Sequence, residues 1–208
     1  VRCGIPPRSS CYCRRMTSVK ELKRDLRKQA LARRDALDAF WRIEASLMLG
    51  DRAQAFLGSV DPGTVVSGFL PIRSEVDIRP LMAALGQMGA RLCVPAIVEG
   101  ELQFRQLRAG APLEPQGFGT YAPGSDAAVL DPQMMLVPLA AFDKAGRRLG
   151  YGRGYYDRAI ERLEEKGITP RLIGIAFDAQ EADRVPTEPH DRLLAAIVTE
   201  SRVIDCGR

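Results

Sequence analysis

The stretch Arg148-Leu-Gly-Tyr-Gly-Arg-Gly-Tyr-Tyr-Asp157 decides how this chain is expected to fold. Upstream of it, Met134-Met-Leu-Val137 is an apolar run typical of a short buried strand. Downstream, apolar residues recur at i, i+3, i+4 and i+7, a helical spacing formed by Tyr156, Ala159, Ile160 and Leu163. The segment is therefore predicted to be a strand, a glycine-rich loop and a helix.

The loop combines Gly150, Gly152 and Gly154 with two arginines, Arg148 and Arg153. Alternating glycines let backbone N–H groups approach a ligand closely, and a helix start adds unpaired donors and a positive dipole end. The guanidinium groups add permanent charge in a forked geometry. These features indicate a phosphate site with a nucleotide as its ligand. The spacing fits neither the Walker loop nor the dinucleotide fingerprint, so spacing alone leaves a purely structural turn open.

Further motifs occur in order around the loop. They are Phe69-Leu-Pro-Ile-Arg-Ser-Glu-Val-Asp77, Leu136-Val-Pro138, Phe142-Asp-Lys-Ala-Gly146, Ile173-Gly-Ile-Ala-Phe177 with Gln180, Val185-Pro186, His190-Asp191 and Val198-Thr-Glu200. Together with the glycine loop, this series resembles the 5-formyltetrahydrofolate cyclo-ligase family, also called methenyltetrahydrofolate synthetases. The resemblance extends from about Lys20 to Glu200.

Strands and helices alternate along the chain, which predicts an α/β layered fold with a largely parallel sheet. Helices are expected over 18–37, on to about 56, and over 78–88. The first is expected to begin with a capping box in Thr17-Ser18-x-x-Glu21, and the last to be capped by Asp77. Residues 109–132, rich in Gly, Pro, Ala and Asp, are expected to form a long loop. The resemblance implies a single Rossmann-like α/β domain over 16–208, similar to the sugar-phosphate isomerase and CoA-transferase group.

The resemblance implies ATP-dependent cyclisation of 5-formyltetrahydrofolate to 5,10-methenyltetrahydrofolate, with release of ADP and phosphate. ATP phosphorylates the formyl oxygen, the bridge nitrogen of the folate attacks the activated carbon, and loss of phosphate closes the ring. Such an enzyme mainly positions two substrates and stabilises charge on the moving phosphoryl group. The implied partners are the reduced folate and ATP, with Mg²⁺ as the cofactor.

The resemblance also assigns site residues. The catalytic arginines are Arg148 and Arg153. The ATP-binding residues are Lys23, Arg24, Asp25, Leu26, Arg27, Arg148, Leu149, Gly150, Tyr151, Gly152, Arg153, Gly154, Tyr155 and Tyr156. The folate-binding residues are Arg27, Leu70, Glu75, Tyr151 and Tyr155. The metal ligands are Asp157 and Asp191, since two carboxylates and substrate phosphates suit a hard cation that retains waters.

Each assignment has a simpler alternative. Lys23 and Arg27 fit a solvated helix face equally well, and Lys20 lies only one turn from Lys23. Glu75 with Leu70 fits a strand end, and Asp157 fits a first-turn acid favoured by the helix dipole. Three further roles are expected: Tyr156 belongs to the core, Tyr151 stacks on a ligand, and His190 is a loop hydrogen-bonder that positions Asp191.

The charge distribution argues against a nucleic-acid partner. Four of the 30 basic residues, Arg2, Arg8, Arg14 and Arg15, lie in a leader without acids, so the rest of the chain carries 26 basic and 26 acidic residues. No apolar run approaches the roughly 20 residues that a membrane span needs. The sequence therefore predicts neither a nucleic-acid nor a membrane partner. We expect a monomer or a weak homodimer.

The leader itself, residues 1–15, is expected to be disordered or not native, with Met16 as the natural start. A transit peptide is the alternative, although the segment is short for one. Cys11 and Cys13 do not have zinc-ligand spacing. We expect a cytoplasmic protein with reduced thiols. Two other functions stay open: a paralogue acting on another formyl or amide substrate, and a nucleotide- or folate-binding protein without turnover.

Overall fold

The computed structural model describes residues 18–117 and 119–207. Its helices are α1 (Val19–Asp35), α2 (Ala39–Leu57), α3 (Arg79–Gln87) and α4 (Tyr155–Glu165), with a 3-10 turn at Asp178–Gln180. Its strands are β1 (Val65–Ser67), β2 (Arg91–Val98), β3 (Glu101–Gln106), β4 (Leu113–Pro115), β5 (Tyr121–Pro123), β6 (Met134–Pro138), β7 (Ala141–Phe142), β8 (Arg148–Leu149), β9 (Arg171–Ile175), β10 (Ala196–Val198) and β11 (Val203–Asp205). The predictions for the leader, for Met16 and for Cys3, Cys11 and Cys13 lie outside the described residues.

Within the described residues, seven strands form a central sheet in the order β11-β10-β9-β6-β1-β2-β3. The five inner strands are parallel, which confirms the prediction, and β3 and β11 are antiparallel edges. Because β1 lies between β2 and β6, the connections diverge at the boundary of β1 and β6. In open α/β sheets, ligands bind beyond the carboxyl ends of the strands at such a switch point.

Helices cover both faces of the sheet. In β6, Met135 and Val137 point into one apolar cluster with α4, and Leu136 points into another with α2 and α3. This alternation follows from the two-residue period of a strand buried on both sides. The predicted α/β layering is confirmed, and the two cores fix the carboxyl ends of β1 and β6.

Helix α1 packs apart from these layers, on the small hairpin of β7 and β8. Ala30 from the helix contacts a separate apolar cluster with Ala141, Leu149 and Val185. The helix begins with a capping box in which the Ser18 hydroxyl accepts the N–H of Glu21, as the sequence predicts. Since β8 leads directly into the glycine loop, α1 lies alongside that loop.

Two local predictions were wrong. Residues 109–132 contain a short antiparallel hairpin, β4 with β5, where a long loop was expected. Strands of three residues rich in Pro and Ala carry too little alternation to be recognised from sequence. The N-cap of α3 is Ile78 rather than Asp77, and no side chain caps that helix. The Asp77 carboxylate instead pairs with Arg79, whose N–H it also accepts.

None of the helices within 18–117 and 119–207 is both long and apolar enough to cross a membrane. In the same ranges, Cys93 and Cys206 carry free thiols. Burial raises the pKa of the Cys93 thiol to about 12, so this cysteine is an inert core residue.

Candidate active site

The glycine loop, residues 150–154, connects β8 to α4 with two left-handed glycines, Gly152 at φ 97° and Gly154 at φ 64°. Gly154 is the N-cap of α4, and no side-chain hydrogen bond caps the helix. The first N–H groups of a helix have no partner within it, and they mark its positive dipole end. The loop and helix start therefore have backbone features that are typical of anion sites, and the phosphate site itself stays a prediction.

One face of α1 supplies the cations nearest to this loop. Arg27 Nε donates to the Gly150 carbonyl over 2.7 Å. A Cβ at Gly152 would lie 3.2 Å from Arg27 Cζ, so the arginine crosses the loop where glycine leaves room. Lys23, one turn earlier, is 12% exposed and reaches Asp191. Lys20 is exposed, so the structure places Lys23 rather than Lys20 at this site.

The other predicted residues of α1 face elsewhere. Arg24 and Asp25 are exposed and pair with each other, with 3.1 Å between Arg24 Nε and Asp25 Oδ1. Leu26 is partly buried against the apolar cluster under the hairpin. Lys23 and Arg27 thus make the observed hydrogen bonds to Asp191 and to the loop, while the three residues between them have these other partners.

Glu75 and the glycine loop meet at the switch point of the sheet. Glu75 follows β1, the loop follows β6 and its hairpin, and the Tyr151 hydroxyl donates to Glu75 Oε1. The buried Arg34 donates from Nη1 to the same hydroxyl over 2.7 Å. Leu70, on the segment that leads to Glu75, packs against the core. The two halves of the predicted site are thus joined by one tyrosine.

The Glu75 carboxyl is only 6% exposed on its side chain. Burial raises the pKa of Glu75, although hydrogen bonds from Tyr151 and the Ile72 N–H and the charges of Arg34 and Arg73 act in the opposite direction. Burial and the charge of Glu75 also raise the pKa of Tyr151, so its phenol keeps its proton. The pocket therefore places a buried carboxyl group beside a neutral phenol.

Arg148 and Asp157, predicted to bind phosphate and metal, meet as an ion pair. Arg148 Nη2 donates to Asp157 Oδ1 over 2.6 Å, and Nη1 donates to the Arg192 carbonyl. The N–H of Arg192 donates to the same Asp157 oxygen over 3.1 Å. The Arg148 guanidinium is thus engaged with protein groups, and the segment after Asp191 is fixed to the start of α4.

Asp191 is held by Lys23 and by its own loop. Lys23 Nζ lies 2.6 Å from Asp191 Oδ2 and 2.8 Å from Glu188 Oε2. Burial of Asp191 is outweighed by the hydrogen bonds from Lys23 and the Glu188 N–H, which together lower the pKa of Asp191. The role expected for His190 was wrong, because its Nε2 lies 3.8 Å from Asp191 Oδ1, beyond hydrogen-bond range.

The donor set fits a hard divalent cation. Oxygen and nitrogen atoms of Glu188, His190 and Asp191 lie within 4.8 Å of one another. Asp157 lies near this group, because it accepts a hydrogen bond from the N–H of Arg192, the residue that follows Asp191. Carboxylates on two chain segments are ligands of the type that usually hold Mg²⁺. In this structure Lys23 pairs with Glu188 and Asp191, and Arg148 pairs with Asp157, so a cation would compete with these partners.

A cavity of about 240 Å³ opens at the start of α4, and its lining includes Gly154, Asp157, Arg158 and His190. Arg158 Nη1 donates to the Arg153 carbonyl, and its guanidinium lies 5.3 Å from the centre of the Tyr155 ring. This cavity lies between the predicted phosphate loop and the predicted metal ligands.

The sequence analysis did not identify Arg34 or Glu188 as residues of the site, and it did not anticipate the environment of the Tyr156 hydroxyl. Arg34 follows Leu26 and Ala30 at intervals of four residues, so it lies on the apolar face of α1. A charged residue on that face could have been recognised from the sequence. Tyr156 packs against the core, as expected, but its buried hydroxyl has no hydrogen-bond partner among the described residues. Nothing in the local sequence of Glu188 indicates that it meets Lys23.

An open α/β sheet with a glycine loop, a helix start and several cations at its switch point is typical of proteins that bind phosphate-bearing ligands. The comparison with known families makes the class specific. The chain belongs to the 5-formyltetrahydrofolate cyclo-ligase family, whose model matches residues 19–200.

Relatives and solved structures agree with this assignment. A 5-formyltetrahydrofolate cyclo-ligase of Escherichia coli is 32% identical over 145 residues, 66% of this chain and 79% of that protein. A mouse 5-formyltetrahydrofolate cyclo-ligase is 25% identical over 88% of this chain and 96% of its own. The NMR structure of Aquifex aeolicus 5,10-methenyltetrahydrofolate synthetase has a TM-score of 0.76 and 27% identity, covering 90% of this chain and 94% of that one.

Proposed function

We propose that this protein catalyses the ATP- and Mg²⁺-dependent cyclisation of 5-formyltetrahydrofolate to 5,10-methenyltetrahydrofolate, releasing ADP and phosphate. Membership of the cyclo-ligase family supports the reaction. The main structural support is the hydrogen bond from the Tyr151 hydroxyl to the buried Glu75, which joins the glycine loop to the segment after β1. One tyrosine thus connects the proposed phosphate side of the site to the proposed folate side.

The phosphates of ATP are proposed to bind the glycine loop and the start of α4. Backbone N–H groups there and the side chains of Lys23, Arg27 and Arg153 would stabilise the negative charge on the moving phosphoryl group. The assigned contacts with the nucleotide also include Arg24, Asp25 and Leu26 on α1, together with Tyr155 and Tyr156 on α4. Mg²⁺, held by Asp157 and Asp191 with Glu188 beside them, would neutralise phosphate oxygens.

The folate is proposed to bind at Glu75, Leu70, Tyr151, Tyr155 and Arg27. The γ-phosphoryl group moves to the formyl oxygen, which turns a poor leaving group into a phosphate ester. The bridge nitrogen then adds to the formyl carbon and closes the ring. Its proton is lost to solvent, and the C–O bond breaks with release of phosphate. No protein nucleophile is required, so the residues act by holding both substrates in line and excluding water.

The remaining assignments are part of the same proposal. The protein acts on small molecules in the cytoplasm as a monomer or weak homodimer, with residues 16–208 forming one cyclo-ligase domain. Nucleic acid and membrane lipid are not among its partners. The fold is related to the sugar-phosphate isomerase and CoA-transferase group. Arg148, through its ion pair with Asp157, supports the loop and the metal ligand together.

One assay tests the function directly. Purified protein is incubated with 5-formyltetrahydrofolate, and growth of the methenyl chromophore is followed with and without ATP and Mg²⁺. We expect a signal that requires both, with one ADP released per methenyl product. Binding of both substrates without turnover would identify a binding protein instead. Hydrolysis of ATP without a methenyl product would point to another formyl or amide substrate.

A further inference from the structure

Arg34, in the last turn of α1, is one of the most deeply buried side chains of the described residues, at 1% exposure. A guanidinium is always charged, and burying it is costly unless its donors are satisfied. Neither the phosphate loop nor the metal ligands require a cation at this position. The partners of Arg34 therefore indicate what the burial achieves.

Those partners come from two other segments of the chain. Arg34 Nε donates to Ser74 Oγ over 2.9 Å, and Nη1 donates to the Tyr151 hydroxyl over 2.7 Å. Nη1 also lies 4.0 Å from Glu75 Oε1, and Nη2 lies 3.6 Å from Asp35 Oδ1. A single rigid fork thus ties α1 to the segment after β1 and to the glycine loop.

The hydrogen-bond directions in this cluster are fixed by chemistry. A guanidinium only donates, so the Tyr151 oxygen must accept from Arg34. The phenol has one proton, and that proton is directed to Glu75 Oε1. The second carboxylate oxygen, Oε2, accepts the Ile72 N–H over 2.9 Å. Both oxygens of Glu75 are therefore used as acceptors, which requires the ionised carboxylate or a protonated form that gives up one of these bonds.

We propose that Arg34 is a positioning residue for the reaction: it directs the Tyr151 proton to Glu75, so that Glu75 meets the folate as an ionised acceptor and the glycine loop is held against the folate pocket. This inference rests on the proposed function for the identity of the ligand. The orientation of Tyr151 and the ionisation of Glu75 are properties of the protein itself.

The alternative is that Arg34 only fastens α1 to the fold. In that case its removal lowers stability without changing how Glu75 titrates. Four titratable or charged side chains act on Glu75: Arg34 from α1, Tyr151 from the loop, Tyr156 from α4 and Arg73 from its own segment. Of these, Arg34 is the cation that also contacts the tyrosine, so its loss removes both the charge and the orientation of the proton.

The test compares Arg34→Met and Arg34→Lys with Arg33→Met. Arg33 is the neighbouring exposed arginine, and its guanidinium donates to the carbonyls of Ala179 and Glu181. With ATP saturating, we expect Arg34→Met to lower kcat/KM for 5-formyltetrahydrofolate about tenfold or more, the effect of losing a hydrogen bond to a charged group. The acidic limb of its pH profile for kcat/KM should move to higher pH. Arg34→Lys should restore the limb because it restores the charge.

A double-mutant cycle with Tyr151→Phe tests whether Arg34 acts through the tyrosine. Tyr151→Phe alone should also move the acidic limb to higher pH, and adding Arg34→Met should then reduce kcat/KM by less than Arg34→Met does alone. Independent losses that multiply fully would overturn the proposal. So would an Arg34→Met enzyme with an unchanged pH profile.

The protonation of Glu75 is measurable without any turnover. Carbon-13 NMR of labelled glutamate, assigned with Glu75→Gln, should show Glu75 titrating at higher pH in Arg34→Met and in Tyr151→Phe than in the native protein or in Arg34→Lys. If Arg34→Met folds poorly, Tyr151→Phe still supplies this comparison. Identical titration in all proteins refutes the role of Arg34. If the native protein makes no methenyl product, the proposed function fails while this NMR comparison still decides the role of Arg34.

Discussion

Arg148 and Asp157 stand at the two ends of the glycine loop, nine residues apart, and their ion pair ties β8 to the first turn of α4. The same Asp157 oxygen accepts the N–H of Arg192, so it also fixes the loop that carries Asp191. The shape of the phosphate loop and the position of the second metal ligand are therefore coupled through one carboxylate.

Asp157→Asn is expected to weaken both stability and metal use. The amide keeps the shape but loses the charge that compensates the buried Arg148, at a cost of about 1.5–3 kcal/mol in unfolding free energy. The Mg²⁺ concentration for half-maximal turnover should rise, and Asp191→Asn should raise it as well. Thermal melts and a Mg²⁺ titration measure both effects, with the exposed Asp183→Asn as the control. An unchanged Mg²⁺ requirement in both variants would place the metal elsewhere.

Arg153→Ala is expected to slow turnover with little effect on folding. Arg153 is exposed in the loop between two glycines, where its side chain supports little core. Loss of one charged donor to a transition state typically lowers kcat by roughly a hundred- to thousandfold. Steady-state kinetics and melts are compared with Arg108→Ala, another exposed arginine. Normal turnover in Arg153→Ala would mean that the loop is a structural turn.

Gly152→Ala is expected to disturb the site through Arg27. A Cβ there meets Arg27 Cζ at 3.2 Å and adds the strain of φ 97°. Gly110→Ala is the matched control, because it has φ 73° with nothing within 4 Å of its Cβ. Both variants should lose about 1 kcal/mol of stability from the backbone strain, and only Gly152→Ala should raise KM for ATP. Equal kinetics in the two variants would contradict the contact with Arg27.

Glu75→Gln is expected to stabilise the fold at neutral pH while impairing folate binding. Because burial raises the pKa of Glu75, the folded state holds this proton more tightly than the unfolded chain does. The stability contributed by the carboxyl is therefore full below its ordinary pKa of about 4.3 and is lost as pH rises through the folded value. Melts across pH should show a gain in Tm for Glu75→Gln at neutral pH that disappears on acidification. A gain that is constant with pH, or one equal to that of the exposed Glu165→Gln, would refute this.

The sequence was sufficient for the layers and for the parts of the site that are local. The run from Arg148 to Asp157 carries its own glycines and helical period, so the loop and α4 were predictable. The capping box at Ser18 and the strand at Met134–Pro138 were predictable for the same reason.

The contacts between residues that are far apart in the sequence were not predictable. Lys23 and Asp191 are 168 residues apart, and Arg34 and Tyr151 are 117 residues apart. Such pairs depend on where β1 and β6 place their following segments, which is a property of the whole sheet. The short strands β4 and β5 were not predicted, because three residues are too few to show an alternation of apolar and polar side chains.

The strand order also determines when the catalytic centre is expected to form during folding. At the edge of the sheet, β2 and β3 pair through a turn that brings Val98 opposite Glu101, a contact between near neighbours. The central pair of β1 and β6 joins Val66 to Met134, and closing so long a loop costs more chain entropy. We therefore expect the edge hairpin to form early and the junction of β1 with β6 to form late. Because Glu75 and the glycine loop meet only across that junction, a partly folded chain would have secondary structure before it had an active site.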